Sequence, residues 1–175
     1  EKYGTLGLDA SAFDRHIAYD IGAEALTRDL AGKLACPAVM ARFSRLLIDP
    51  NRGMDDPTLV RQLYDGSVIP GNYPLSGAEL SYRLENFYQP FRKAVRYLIA
   101  DMWERADQPP LVVSIHSFTP SMGGKVRPWH AGVLWDADPR AAIPLIGMLE
   151  AEPGLIAGDN EPYDGALHGD TLHEI

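Results

Sequence analysis

The sequence predicts an α/β fold, a three-layer α/β/α sandwich with a mostly parallel central sheet, and three observations predict it. Segments with helical periodicity alternate along the chain with short apolar runs. One of these runs, Leu111-Val-Val-Ser-Ile115, is nearly continuous, which suits a strand covered on both faces. A length of 175 residues is enough for one domain with a substantial core.

A helix is expected over 12–34, where Phe13, Ile17, Ile21 and Ala25 recur every fourth residue and Ser11 suits the N-cap. The runs from Ala38 to Phe43 and Leu46-Leu47-Ile48 read as strand material stopped by Asp49-Pro50. A short helix is expected from Pro57 to Tyr64, followed by a loop through Ile69-Pro-Gly-Asn-Tyr-Pro74. The longest periodic segment, 77–105, has an apolar stripe through Leu84, Phe87, Tyr88, Phe91 and Val95, and Pro90 should kink it. Gly132-Val-Leu-Trp135 and Leu155-Ile-Ala157 read as further strands, with a helix from about Pro139 to Glu150 between them. No repeat, low-complexity tract or linker interrupts the pattern, so residues 1–175 read as one domain.

Composition narrows the function. Hydrophobic residues make up 46% and charged residues 23%, and no apolar run approaches the ~18 residues of a membrane span. The net charge of −8 repels phosphate backbones and anionic membranes, so neither nucleic acid nor membrane is an expected partner. The single cysteine, Cys36, forms no internal disulfide and fits a reducing, cytoplasmic setting. Its apolar surroundings mark it as core filler, and no Gly-x-Ser-x-Gly elbow, Walker motif or His-x-x-Glu pair is present. Gly123-Gly124 is too little for a phosphate loop.

Several of the residues with chemical potential lie near predicted strand ends, where open α/β sheets bind ligands. His116 closes the 111–115 run and suits a metal ligand, a general base or a hydrogen-bonded structural role. Arg45, Asn51 and Arg52 suit a carboxylate clamp, with an Arg–Asp49 structural pair as the alternative. His16 and Asp20, four apart on the predicted helix, either share a metal or hydrogen-bond to each other. Glu161 in Asp159-Asn-Glu-Pro-Tyr163 either polarises water, holds a metal or braces a turn. Arg127-Pro-Trp-His130 gathers a cation, an aromatic ring and an imidazole in one loop.

Six collinear segments resemble the N-formylglutamate amidohydrolase family. They are His16-Ile-Ala-Tyr-Asp-Ile-Gly-Ala23, Ser44-Arg-Leu-Leu-Ile-Asp-Pro-Asn-Arg52, Asp65-Gly through Ile69-Pro-Gly-Asn72, Ile115-His-Ser-Phe-Thr-Pro120, Arg127-Pro-Trp-His130 and Asp159-Asn-Glu-Pro-Tyr163. The resemblance implies a zinc-carboxypeptidase-like three-layer fold and a zinc-bound water, or that of another divalent metal, attacking an amide carbonyl. It implies His116 as a zinc ligand with Asp20 or His16 as another, and a glutamate as the proton acceptor, a part for which Glu161 is the candidate read from the residues themselves. It makes Arg45, Asn51, Arg52 and Arg127 the residues that hold a small anionic amino-acid substrate, N-formyl-L-glutamate above all. A sister N-acyl-amino-acid deacylase and a carboxylate-binding protein without turnover are the alternatives. Relatives place a His-containing turn before the first matching segment and a glutamate-bearing strand after Gly169-Asp-Thr-Leu172, so the chain is expected to lack the family's N-terminal strand and C-terminal segment. Where relatives have Pro-Tyr-His on the long helix, this chain has Pro90-Phe-Arg92.

Overall fold

In the computed structural model, which describes residues 2–166 and 169–174, the first helix begins later than its periodicity suggests. Ala10–Asp14 form a short 3-10 helix capped by Asp9, not Ser11, and the Asp9 carboxylate accepts from the Ser11 N–H at 2.9 Å. Gly22 then adopts φ +82°, a left-handed conformation that a continuous helix excludes, and α1 spans only Ala23–Leu34. His16 and Asp20 therefore lie in turns and share no helical face. Cys36, just beyond α1, is exposed and fills no core.

The predicted helix from Pro57 to Tyr64 is replaced by turns and a hairpin. The Thr58 N–H and hydroxyl both donate to Asp56 Oδ1 at 2.6 Å, a local bond that competes with helix formation. β1 (Leu63–Tyr64) and β2 (Ser67–Val68) then pair antiparallel around Asp65-Gly66. Both turn residues have positive φ, 47° and 74°, as the tightest hairpin turns require and Asp-Gly favours. Gly123-Gly124, with φ of 56° and 78°, joins β3 (Ser121–Met122) to β4 (Lys125–Val126) in the same manner.

Two compact units result, one built from Glu1–Ser117 with Gly169–Ile175, the other from Phe118–His168. The main apolar core belongs to the first, where Ile17, Leu46, Ile48 and Ile69 are fully buried. Each such side chain contributes roughly 1.5–3 kcal/mol relative to exposure. Against this core lies the long helical segment, in three consecutive stretches: α2 (Gly77–Arg83), a π-helical stretch at Leu84–Tyr88, and α3 (Gln89–Ala106). Ser76 caps α2 by accepting from the Glu79 N–H at 3.1 Å. The wider π turn ends where the Gln89 N–H reaches the Leu84 carbonyl, immediately before Pro90, the residue expected to disturb the helix.

That turn has a packing consequence. Arg83, Tyr88 and Arg92 are spaced five and then four apart, and all three are buried. Each grips the loop opposite. Arg83 donates to the Leu47 carbonyl at 2.8 Å and the Gly71 carbonyl at 3.0 Å, while the Tyr88 hydroxyl (2.6 Å) and Arg92 (3.1 Å) both donate to the Arg52 carbonyl. The helix face toward the core thus holds the segment with Arg45, Asn51 and Arg52 through polar as well as apolar contacts.

The second unit is organised by a parallel crossover. β5 (Ala131–Val133) pairs in parallel with β6 (Ala157–Asp159), and α4 (Pro139–Glu150) connects them. Asp138 caps α4 and Pro139 opens it, as the sequence pattern requires.

The mixed helix and strand class holds. The strands lie in three two-stranded ladders, and the described residues form no wider sheet. The runs 38–43, 46–48 and 111–115 form no strands. A strand exists only through its pairing, and the described residues place no neighbour beside 111–115, where Leu111 is 70% exposed. Segment 46–48 is buried as a turn, because Asn72 and Arg83 hydrogen-bond its carbonyls in place of a ladder. No helix among the described residues is long and apolar enough to cross a membrane.

Candidate functional site

In the first unit two of the predicted site residues, Arg45 and His116, meet at a third, Asp20. The Ser44 hydroxyl and the Arg45 N–H both donate to the Ala18 carbonyl, at 2.8 and 3.1 Å, which stitches the two loops together and brings the Arg45 side chain onto Asp20. Arg45 pairs with Asp20 Oδ1, and His116 Nδ1 lies 2.7 Å from Asp20 Oδ2. On the other side of the ring, His116 Nε2 lies 3.0 Å from the Ser114 hydroxyl. The result is a continuous chain from Arg45 through Asp20 and His116 to Ser114.

Burial alone would raise the Asp20 pKa. The hydrogen bond with His116 and the charge of Arg45 outweigh it and hold the carboxyl below its usual range. Burial likewise opposes the charge on Arg45, and Asp20 and Asp49 overcome it, so that its pKa is raised. His116 itself is exposed, with 47% of its side chain accessible against 15% for Asp20. A fixed, ionised carboxylate thus stands behind an imidazole open to solvent.

Asn51 and Arg52 have different surroundings from Arg45. Asn51 Oδ1 accepts from the Thr171 N–H at 3.1 Å, so its amide ties the final helix, α5 (Thr171–Glu174), to the loop. The Arg52 guanidinium is 43% exposed and stands 3.8 Å from both Asp49 and Asp56. The Arg–Asp49 pairing expected as an alternative is therefore present as a loose contact, and Arg52 keeps most of its donors free for an anion. His16 packs its ring edge-on against Tyr64 with centroids 6.4 Å apart.

The second unit holds Arg127 and Glu161. Arg127 lies over the rings of Tyr163 (4.9 Å) and Phe118 (5.8 Å) and donates to the Thr119 carbonyl at 3.2 Å and the Tyr163 hydroxyl at 3.0 Å. His130 is structural, its Nδ1 accepting from the Ile156 N–H at 3.0 Å. Glu161 sits where its turn closes on the β5–β6 ladder: a Cβ on Gly158 would stand 2.8 Å from the Glu161 carbonyl oxygen, so only glycine fits there. The Glu161 residue is exposed and makes no hydrogen bond or ion pair among the described residues.

A divalent metal such as zinc takes three or four protein ligands. Among the described residues no group of three or more His, Cys, Asp and Glu is placed to hold one. Asp20 has one oxygen on Arg45 and the other on His116, and His16 is turned to Tyr64. These residues do not by themselves fit a complete metal centre; His116 Nε2 lies beside the Ser114 hydroxyl.

Sequence reasoning missed Ser114, Arg83 with Asn72, and the clip between Arg92 and Glu174. Arg92 pairs with Glu174 and so occupies the one glutamate near the end of the chain. The departure at Pro90-Phe-Arg92 was the available signal, because an arginine on an otherwise apolar stripe needs a partner.

A family model described as N-formylglutamate amidohydrolase matches residues 2–174. The crystal structure of a gene product from Agrobacterium tumefaciens is similar, with 39% identity and a TM-score of 0.86 over 93% of this chain. The chain spans 64% of the length of that protein. No curated protein matches.

Proposed function

Because the chain belongs to the N-formylglutamate amidohydrolase family, we propose that it hydrolyses the amide bond of a small N-acylated acidic amino acid, with N-formyl-L-glutamate giving formate and glutamate. The observation that carries this reading is the family match over residues 2–174, which takes in each of the candidate residues. The three-layer sandwich and a cytoplasmic location belong to the same proposal, and the parallel β5–β6 crossover supports the former.

The chain's own residues have separable parts in it. The half-exposed Arg52 offers a guanidinium fork to a substrate carboxylate, a geometry that binds both oxygens. In the second unit, Arg127, held between Phe118 and Tyr163, offers a guanidinium to a carboxylate, and Glu161, exposed and without a partner among the described residues, is suited to accepting a proton. His116 presents Nε2 either to a divalent metal, zinc by the family resemblance, or to the reacting groups directly. Among the described residues no group of three such ligands joins it.

Formate release from N-formyl-L-glutamate by the whole protein tests the reading, together with metal analysis of protein purified without chelator. Arg52→Ala should raise KM about tenfold or more while leaving kcat within a few-fold, since a charged hydrogen bond is worth ~1.5–3 kcal/mol. No turnover at any metal supplement would refute the amidohydrolase reading. Comparing N-formyl with N-acetyl glutamate separates a sister deacylase, for which one added methyl changes discrimination by only ~1–3 kcal/mol.

That no three-ligand group occurs among the described residues favours a second reading, a carboxylate-binding protein without turnover. Metal-free protein that binds glutamate in calorimetry and releases no formate would establish it.

A further inference from the structure

Arg61 carries a charge that nothing answers. Among the described residues its guanidinium makes no hydrogen bond and no ion pair, and its Nε is buried without a partner. Arg45, Arg83 and Arg92, likewise withdrawn from solvent, each pair with a carboxylate. What Arg61 has instead is a platform: its guanidinium carbon lies 4.4 Å from the centroid of the Tyr64 ring, a cation–π contact that fixes the plane of the group. The backbone beneath is pinned as well, because the buried Asn72 donates to the Arg61 carbonyl at 2.6 Å and the Ile69 N–H to the Gln62 carbonyl at 2.8 Å. A cation partly removed from water and held in one orientation without a counter-charge is costly to keep, and an anion offsets that cost.

The same residue lines a cleft of about 320 Å³, formed with Pro57, Thr58, Val60, Gln62 and Leu63. Small-ligand sites begin at roughly 300 Å³. Arg61 is the one charged residue of this lining, and Pro57, Val60 and Leu63 give it apolar walls. Such a cleft suits a short methylene chain that ends in a carboxylate. It also adjoins Arg52 through Asp56: one Asp56 oxygen is 3.8 Å from Arg52 Nη1, and the other accepts from the N–H and hydroxyl of Thr58, in the cleft wall, at 2.6 Å. The loop thus carries two guanidiniums with unused donors, one beside Asp56 and one in the cleft that Thr58 joins to it. We propose that the cleft at residues 57–63 is a carboxylate subsite, in which Arg61 binds the side-chain carboxylate of an acidic amino acid while Arg52 binds its other carboxylate.

The carboxylate preference of the cleft follows from its own lining, whereas the sharing of one ligand with Arg52 rests on the amidohydrolase reading. The buried Arg61 Nε–H is the reporter, observed in 15N–1H spectra of the whole chain and assigned by its loss in Arg61→Lys. L-Glutamate should shift this signal saturably, and L-glutamine, whose side chain ends in a neutral amide, should leave it in place at equal concentration. A signal unmoved by glutamate, or moved equally by glutamine, would overturn the proposal. Calorimetry should find one glutamate per chain, bound about tenfold or more weakly by either Arg52→Gln or Arg61→Gln. Arg61→Lys, which keeps the charge without the fork, should retain part of the affinity, and so excludes loss through misfolding. Two glutamates per chain, one lost in each Gln variant, would overturn the sharing. If the Arg61 signal responds to glutamate and N-formyl-L-glutamate is not hydrolysed, the subsite stands and the amidohydrolase reading fails. If N-formyl-L-glutamate is hydrolysed with the same KM by wild type and Arg61→Gln, and glutamate leaves the signal unmoved, that reading stands and the subsite fails.

Discussion

Arg83 is a cation with only 1% of its surface exposed, and its stability depends on every donor finding a partner. Its Nε donates to Glu79 at 2.9 Å, and Nη1 donates to Asn72 Oδ1 at 2.7 Å as well as to the Leu47 carbonyl. Asn72, itself fully buried, uses its amide to donate to the carbonyls of Leu46 and Arg61 at 2.8 and 2.6 Å. Two side chains thus take the place of a ladder for the buried turn at 46–48. Arg83→Ala should cost about 3–5 kcal/mol, since it strands several buried acceptors, and Asn72→Ala about 1–3 kcal/mol. Urea unfolding checks both, and the double variant should fall well short of the sum, because the two residues share a bond. Neither residue stands out in the sequence. An arginine on an amphipathic helix ordinarily reads as a solvated face, and only a helix that changes pitch turns Arg83, Tyr88 and Arg92 inward together. His116 and Arg45, by contrast, were legible from chemistry and position, yet what joins them was not: Asp20 was read as sharing a helix face with His16, and its partners come from loops 25 and 96 residues away.

At the scale of elements, legibility followed local punctuation. The α4 helix appears at its expected bounds because Asp138, Pro139 and an apolar stripe agree. The carboxyl of Asp138 is held at about 2 by the Arg140 side chain and by the Arg140 N–H that it caps. Its folded value lies below the ordinary 3.8, so its contribution to α4 is complete above that pH and is lost as pH falls through about 2. The amide protection of α4 relative to an Asp138→Asn variant should therefore be level from pH 7 to about 4 and shrink toward pH 2; a difference that persists at pH 2 would refute the assignment. The β1–β2 hairpin stands where the pattern from Pro57 to Tyr64 suggests a helix, although Asp65-Gly66 is a hairpin-turn pair. At Gly66, φ is +74° and a Cβ would meet nothing within 4 Å, so Gly66→Ala should cost about 1–2 kcal/mol from backbone conformation alone, read by thermal unfolding. The run 111–115 was misread for another reason: its composition fits a central strand, while strand formation depends on neighbours that a local pattern does not contain.

For the whole molecule, alternation of helical and extended segments gave the mixed helix and strand class, while the strands of the described residues pair only two at a time. Two compact units emerge, and no composition shift at Ser117 or Phe118 marks the division. The core of the first unit is small enough that single truncations matter: Ile48→Ala should destabilise by about 2–5 kcal/mol, measured by urea unfolding. What the chain does as a whole is the claim on which the roles assigned to single residues converge. Its most direct test is formate and glutamate release from N-formyl-L-glutamate, wild type against His116→Ala, at equal folded concentration. Equal amounts of the two products from wild type, and at least a hundredfold less from the variant, are the predicted result; release unaffected by loss of the imidazole, or none from wild type in the presence of added divalent metal, would contradict it.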